Sequence, residues 1–227
     1  MTSGRLVVRT VDGARGVSVK SVTAKLATDA RAIAAAAAVT MQTTNEKVRI
    51  QVPEARGRGR SPQVLVEVLV PVGADVSADA GEAEVVCVGR VRDLTARTTS
   101  GSVHAEQVDG RLDVRSGRGP VTVHLCRGPS EIAVADAGVL VRAAEGPLTV
   151  RGRSADIHVW WLAAAGQLST STGNVRIGWD QTRPVALDLQ TGAGRLDVAV
   201  PDDPAAEARL RVRTIAGDIR VTPARRP

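Results

Sequence analysis

Few side chains in this sequence are of a type and spacing that could do chemistry. Trp160 follows His158 by two residues, so in an extended segment the two share a face. An outward indole of this kind is either covered by a loop or serves as a platform for a sugar ring, an apolar ligand or a partner. Arg111 and Asp113 belong to Gly110-Arg-Leu-Asp-Val114, and Arg195 and Asp197 to an identical phrase, Gly194-Arg-Leu-Asp-Val198. Both pairs fall in outward slots, where arginine and aspartate could grip a glycan or act on it. Carboxylates that share the acid and base work on one glycosidic bond lie roughly 5 to 9.5 Å apart. Copies so distant in the chain fall several strands from each other, and ion pairs between neighbouring strands are the commoner use of such residues. Trp160, His158, Arg111, Asp113, Arg195 and Asp197 are therefore the candidate ligand-binding set. No residue is assigned as catalytic or as a metal ligand.

The remaining reactive groups point to less. His104 occupies the same outward slot as His158, and His124 shares a face with Cys126. Zinc wants three or four converging ligands, and two are visible, so solvated histidines are expected. Two cysteines, Cys87 and Cys126, are too few for a disulfide framework and read as free thiols of a reducing cytoplasm. The sequence contains no Ser-His-Asp order, nucleophile elbow, phosphate loop or metal motif, and nothing that calls for a cofactor. A net charge of +6 and a pI near 10.5 permit nucleic acid, anionic lipid or an acidic partner. The arginines mostly alternate with Asp or Glu, which describes a mixed-sign solvated surface. Arg56-Gly-Arg-Gly-Arg60 and Arg225-Arg226 could hold phosphates, but no aromatic residues are interleaved for stacking, which disfavours nucleic acid.

These residues sit on a repeated phrase: a small residue, a polar one, an aliphatic one, a polar or small one, and another aliphatic one. Its copies are Gly110–Val114, Gly119–Val123, Ser130–Val134, Gly146–Val150, Ala155–Val159, Gly173–Ile177, Gly194–Val198 and Gly217–Val221. Period-two alternation puts the aliphatic side chains on one face of a strand, and Val, Ile and Thr suit that surface. Units of about nine residues cannot bury their own apolar faces, so neighbours must stack. With no Phe, no Tyr and three Trp, the shared interior must be thin. The expected fold is all-β: a β-solenoid or sandwich-like stack of short repeated strands, with antiparallel hairpins as the competing arrangement. Parity places Trp161 and Trp179 inward, and two units of separation would set them on adjacent rungs about 4.8 Å apart, close enough to stack.

Before the repeats, Leu6–Val11 and Val17–Val22 read as a hairpin about Asp12-Gly13. The alanine run behind Thr28 and Asp29, ending at Val39, predicts one short helix covering an edge. Lys47–Val52, Gln63–Val70 and Ala83–Val88 alternate as strands. No linker divides the chain, which is expected to form a single elongated domain over 1–227. Residues 1–80 form a less regular first layer, 81–222 the regular repeats and 223–227 a frayed tail. The start of the sequence lacks the apolar run of a signal peptide, and no stretch reaches the roughly 18 apolar residues of a membrane span. A cytoplasmic protein is expected.

The chain resembles the toastrack family, the adhesin-type β-strand-repeat domains of unknown function found in bacteria, particularly its compact actinobacterial members. The resemblance is carried by Glu46-Lys-Val-Arg-Ile-Gln-Val-Pro53 after the alanine run and by Val64-Leu-Val-Glu-Val-Leu-Val-Pro-Val-Gly-Ala74. It continues in Leu94-Thr-Ala-Arg-Thr-Thr-Ser-Gly-Ser-Val103 and Thr214-Ile-Ala-Gly-Asp-Ile-Arg-Val221. It implies an all-β repeat fold and offers no catalytic residues to carry over. The expected function is a non-catalytic cytoplasmic scaffold or protein-interaction module, with a protein partner or a homo-oligomer. The alternative is a small-molecule- or glycan-binding protein, or a cofactor-independent enzyme, using the outward face near Trp160.

Overall fold

A computed structural model describes residues 3–13, 18–24, 40–44, 47–51 and 63–227. Every copy of the repeated phrase lies on a strand. The regular winding runs through β6 (Val76–Ala80), β7 (Glu82–Val91), β8 (Leu94–Thr98), β9 (Val103–Val108), β10 (Leu112–Ser116) and β11 (Val121–Cys126). It continues through β12 (Ser130–Val134), β13 (Val139–Ala144), β14 (Leu148–Ser154), β15 (Ile157–Leu162), β16 (Gly166–Thr172) and β17 (Val175–Asp180). Even-numbered strands join one sheet and odd-numbered strands the other, all in parallel. Leu112 lies beside Leu94 on one side and Ser130 on the other, and Val121 beside Val103 and Val139. One turn of the chain therefore takes 18 residues, two sequence units. Parallel neighbours in both sheets make this a two-sheet solenoid and exclude stacked hairpins for this region.

The corners show why the phrase opens on a small residue. A Cβ on Gly119 would lie 1.9 Å from the carbonyl oxygen of Gly101 in the preceding rung. The Ser116 hydroxyl donates to the Gly119 carbonyl (2.7 Å) and accepts from its N–H (3.1 Å), tying the turn to the strand before it. Both sheets send their aliphatic rows inward. Leu94, Leu112, Ile132, Leu148, Leu168 and Ile177 are among the buried residues of one continuous core. Each such side chain contributes roughly 1.5 to 3 kcal/mol against exposure.

Both ends depart from sequence order. β1 (Ser3–Val11) lies between β7 and β5 (Gln63–Pro71), parallel to each. β2 (Ser18–Ala24) runs antiparallel on the far side of β5. β3 (Thr40–Thr44) and β4 (Lys47–Gln51) form a separate antiparallel pair. Gly13 makes the expected turn, with φ +74, but the expected hairpin does not form. β5 stands between its two arms, placing Val64, Val66, Val68 and Val70 in the core. The helix expected over 28–39 and the arginine loop 56–60 lie outside the described residues.

At the other end the chain forms β18 (Ala186–Ala193), β19 (Leu196–Val198), β20 (Arg209–Ala216) and β21 (Ile219–Ala224). β20 is inserted between β16 and β18, and β21 between β17 and β19. Pro223 and Ala224, read as the start of a frayed tail, are the last residues of β21, and Arg226 pairs with Glu145.

The tryptophans correct the simple parity count. Val159 lies beside Ile177 but Leu162 beside Trp179, with a register shift between. This is a β-bulge, in which an extra residue turns the side chains after it to the other face. Trp179 enters the main core and its Nε1–H donates to the Arg183 carbonyl at 2.9 Å. Trp161 is also buried, but in a separate cluster with Ala143 and Ala163 against Leu125 and Ala224. Trp179 is in the shared interior as expected, whereas Trp161, expected beside it, is buried outside that core past the bulge, and the two are not cross-strand partners.

Candidate functional site

The outer face of the wider sheet carries rows of side chains set by register. One row runs Leu140, His158, Arg176, Arg220, Asp197, contributed by β13, β15, β17, β21 and β19. Farther along the same strands, Trp160 adjoins Gly178, and Thr222 lies beside Gly178 on the next strand. With no side chain at Gly178, a notch opens next to the indole, and a Cβ there would sit 2.0 Å from the Trp160 carbonyl oxygen. The result is a groove of about 390 Å³ lined by His158, Trp160, Arg176, Gly178, Arg220 and Thr222 among others.

Trp160 is 42% exposed at the edge of this groove. Its Nε1–H donates to His158 Nδ1 at 3.3 Å, which leaves the imidazole accepting on that nitrogen. Burial, and after it the positive charge of Arg176, hold His158 below the usual histidine range. Near neutral pH it is therefore an uncharged acceptor. The Arg142 guanidinium, from β13, lies 4.9 Å from the Trp160 ring centroid, a cation–π contact. Arg220 pairs with Asp197 at 3.1 Å. Among the described residues, Arg142 and Arg176 form no salt bridge, and no Asp or Glu lines the groove. The site is a cationic, solvent-facing slot with one aromatic wall.

The six candidate residues do not form one site. His158 and Trp160 lie together, and Asp197 reaches their row through Arg220. Arg195 uses its backbone N–H to bond Asp218 Oδ1 at 2.8 Å, at the corner before β19. Arg111 and Asp113 belong to the opposite sheet. There the Arg111 N–H bonds Asp93 Oδ1 at 2.7 Å, and Asp113 pairs with Arg115 at 3.6 Å. Identical phrases land on opposite faces because successive units alternate between sheets. Asp113 and Asp197 are thus separated by the core, about 10 Å between sheets plus the outward reach of both side chains. They cannot act on one bond.

Sequence reasoning did not pick out Arg176, Gly178, Arg220 and Thr222. The signal for the two arginines was present: Arg176 in Gly-Asn-Val-Arg-Ile and Arg220 in Gly-Asp-Ile-Arg-Val fill the slot His158 fills in Ala-Asp-Ile-His-Val.

Elsewhere, His104 and His124 meet edge to face at 4.8 Å. Burial, then His104, hold His124 below its usual range. Among the described residues no group of three or more His, Cys, Asp or Glu could hold a metal ion. Cys87 and Cys126 are buried and free, and burial pushes the Cys87 thiol up to about 12. Of the four Arg and Asp candidates Asp197 makes an ion pair with a neighbouring strand, through Arg220. A ladder of such pairs is formed by other residues: Arg90–Asp109 (3.4 Å), Asp109–Arg127 (2.8 Å), Arg127–Glu145 (3.4 Å) and Glu145–Arg226.

No protein-family model, curated protein or solved structure matches the chain. The class is therefore defined by fold and surface: a parallel β-solenoid of two sheets with a cationic groove on the wider one. No helix among the described residues is long and apolar enough to cross a membrane.

Proposed function

We propose that the protein is a non-catalytic binding module that holds a small molecule or a glycan in the groove beside Trp160. The observation that carries this reading is a solvent-facing indole bordering a notch where Gly178 has no side chain. Its floor is a hydrogen-bonded sheet, so the backbone positions that carry the wall and the basic side chains are in fixed register before any ligand arrives, which lowers the ordering cost of binding. The lining has a neutral imidazole and guanidinium groups but no carboxylate for acid–base work. The resemblance to toastrack domains, which brings no catalytic residues, supports the same reading. The test is a screen of small metabolites and oligosaccharides by Trp fluorescence and acrylamide quenching. Trp160 is the one tryptophan open to quencher, because Trp161 and Trp179 are buried. A ligand should protect it, and Trp160→Ala should abolish the signal. Full quencher access to Trp160 across the whole screen would defeat the reading.

A scaffold role has its own supporting observation. Leu196 and Val198 lie in the inward row of the wider sheet, beside Ile219 and Val221, yet are 50% and 40% exposed because β19 ends the stack. An open strand edge with apolar side chains is a template for pairing. A scaffold that used this end would be a defined oligomer by light scattering, and Leu196→Lys would return it to monomer.

A further inference from the structure

We propose that the groove selects an acidic glycan, with one ring of a longer chain against Trp160 and that ring's carboxylate or sulfate on Arg176. The proposal rests on the binding reading above and adds the chemical class of the ligand. Three features lead to it. The first is charge: Arg220 is already paired with Asp197, whereas Arg176 has no carboxylate partner among the described residues, and the lining contains no acid. A neutral ring laid over Arg176 would offer hydroxyl oxygens as acceptors but no charge to balance the guanidinium it desolvates. A carboxylate or sulfate would instead meet the planar fork of the guanidinium with paired, charge-assisted hydrogen bonds.

The second feature is shape. Neighbouring strands lie about 4.8 Å apart, so the notch at Gly178 between Trp160 and Thr222 spans roughly 10 Å, enough for one ring on edge against the indole. Arg142 approaches the indole from β13, and the notch lies on the other side, toward β17. His158, Trp160, Arg176 and Arg220 all face solvent. Pockets that hold a whole small ligand enclose most of its surface. This groove has one aromatic wall and an open front, and suits a segment of a chain that continues past it.

The third is the count of aromatic rings. The protein has no Phe and no Tyr, and two of its three Trp are buried. Single-stranded nucleic acid is held by stacking successive bases on successive aromatic rings, and here one exposed indole stands alone. A polymer that needs one stack and one ionic contact per bound ring fits better.

The test uses the full chain with four probes, read by calorimetry and Trp emission: oligogalacturonate for carboxylates, dextran sulfate for sulfates, cello-oligosaccharide as the neutral chain, and a single-stranded oligonucleotide. At least one acidic glycan should bind about tenfold or more tighter than the neutral chain, as expected for one charge-assisted contact. Arg176→Ala should lose about that factor for the acidic probe and none for the neutral one, and Arg176→Lys should recover part of it. Arg115→Ala, on the opposite sheet, should change nothing, and circular dichroism should show every variant folded. If acidic and neutral glycans bind equally and Arg176→Ala is silent while Trp160 still responds, the acidic-ligand inference fails and the binding reading stands. If no probe binds and Trp160 stays open to quencher, both fall. Tighter binding of the oligonucleotide than of any glycan also overturns the inference.

Discussion

The order of the C-terminal strands can be tested through Ile219. This residue is buried in β21, beside Val175 of β17 on one side and Leu196 of β19 on the other. Ile219→Ala removes three carbons from a site without solvent contact. At about 0.8 kcal/mol per methylene the transfer loss alone is roughly 2.4 kcal/mol, and the cavity left behind brings the expected range to about 2 to 5 kcal/mol. In a stack of repeats such a loss is felt by the damaged coil and its immediate neighbours. β17 is supported on its other side by β15, whereas β19 pairs only with β21, and β18 only with β20. Hydrogen exchange read peptide by peptide should therefore show 186–198 and 209–224 opening together. For a loss of about 3 kcal/mol the acceleration is on the order of a hundredfold. Peptides over 139–162 should be unchanged. Were the terminal coil stacked directly on β16 and β17, residues 186–198 would keep their protection while 219–224 lost theirs. That pattern, or equal acceleration throughout the chain, would refute the strand order.

Three further expectations follow from single positions. Gly119→Ala drives a Cβ to within 1.9 Å of the Gly101 carbonyl and should cost at least about 2 kcal/mol. At Gly138 the nearest atom is 3.9 Å away, so alanine there should stay within about 0.5 kcal/mol of the parent in urea melts, and a reversed ranking would contradict the corner geometry. His158 sits below the ordinary 6.5, so the free protein loses the stability tied to its neutral imidazole as pH falls from about 6.5 through the lower folded value. Protonation adds a positive charge to the groove, so an anionic ligand should bind tighter toward pH 5. His158→Gln should flatten that profile in calorimetric titrations, and an identical slope in the variant would count against it. Cys87 and Cys126, both raised by burial, should resist a thiol reagent at pH 8 in the native protein and react once it is unfolded; rapid native labelling would show that the rungs open there.

Much of the fold was legible because alternation is a local property. Leu112 and Val114, or Ile157 and Val159, declare their strand and its inward face without reference to the rest of the chain. Several strands were missed, two of them for equally local reasons. In β13, Leu140 puts an apolar residue in an outward slot and blurs the alternation. In β16, Gly166 and Thr170 fill inward slots, leaving Leu168 as the single aliphatic cue. Neighbour choice at the ends was not legible, because Gly217–Val221 would stack as well on one rung as on another. The bulge at Trp160 and Trp161 was hidden too, since counting parity assumes an unbroken strand. Half of the site could be read: Trp160 and His158 were placed on one outward face. Their partners come from β17 and the inserted β21, and the arginine–aspartate copies could not be given a sheet, because a phrase does not say to which one it belongs.

The insertion of β20 and β21 bears on how the molecule is made. During synthesis β18 and β19 leave the ribosome before β20 and β21, the strands that separate them from β16 and β17 in the folded protein. β1 likewise precedes β5 and β7, the strands on its two flanks. A simple solenoid could grow rung by rung from one end, whereas here the strands on both sides of β20 and β21 are made before them, so Arg220 and Thr222 are synthesised after the His158, Trp160, Arg176 and Gly178 they join in the groove.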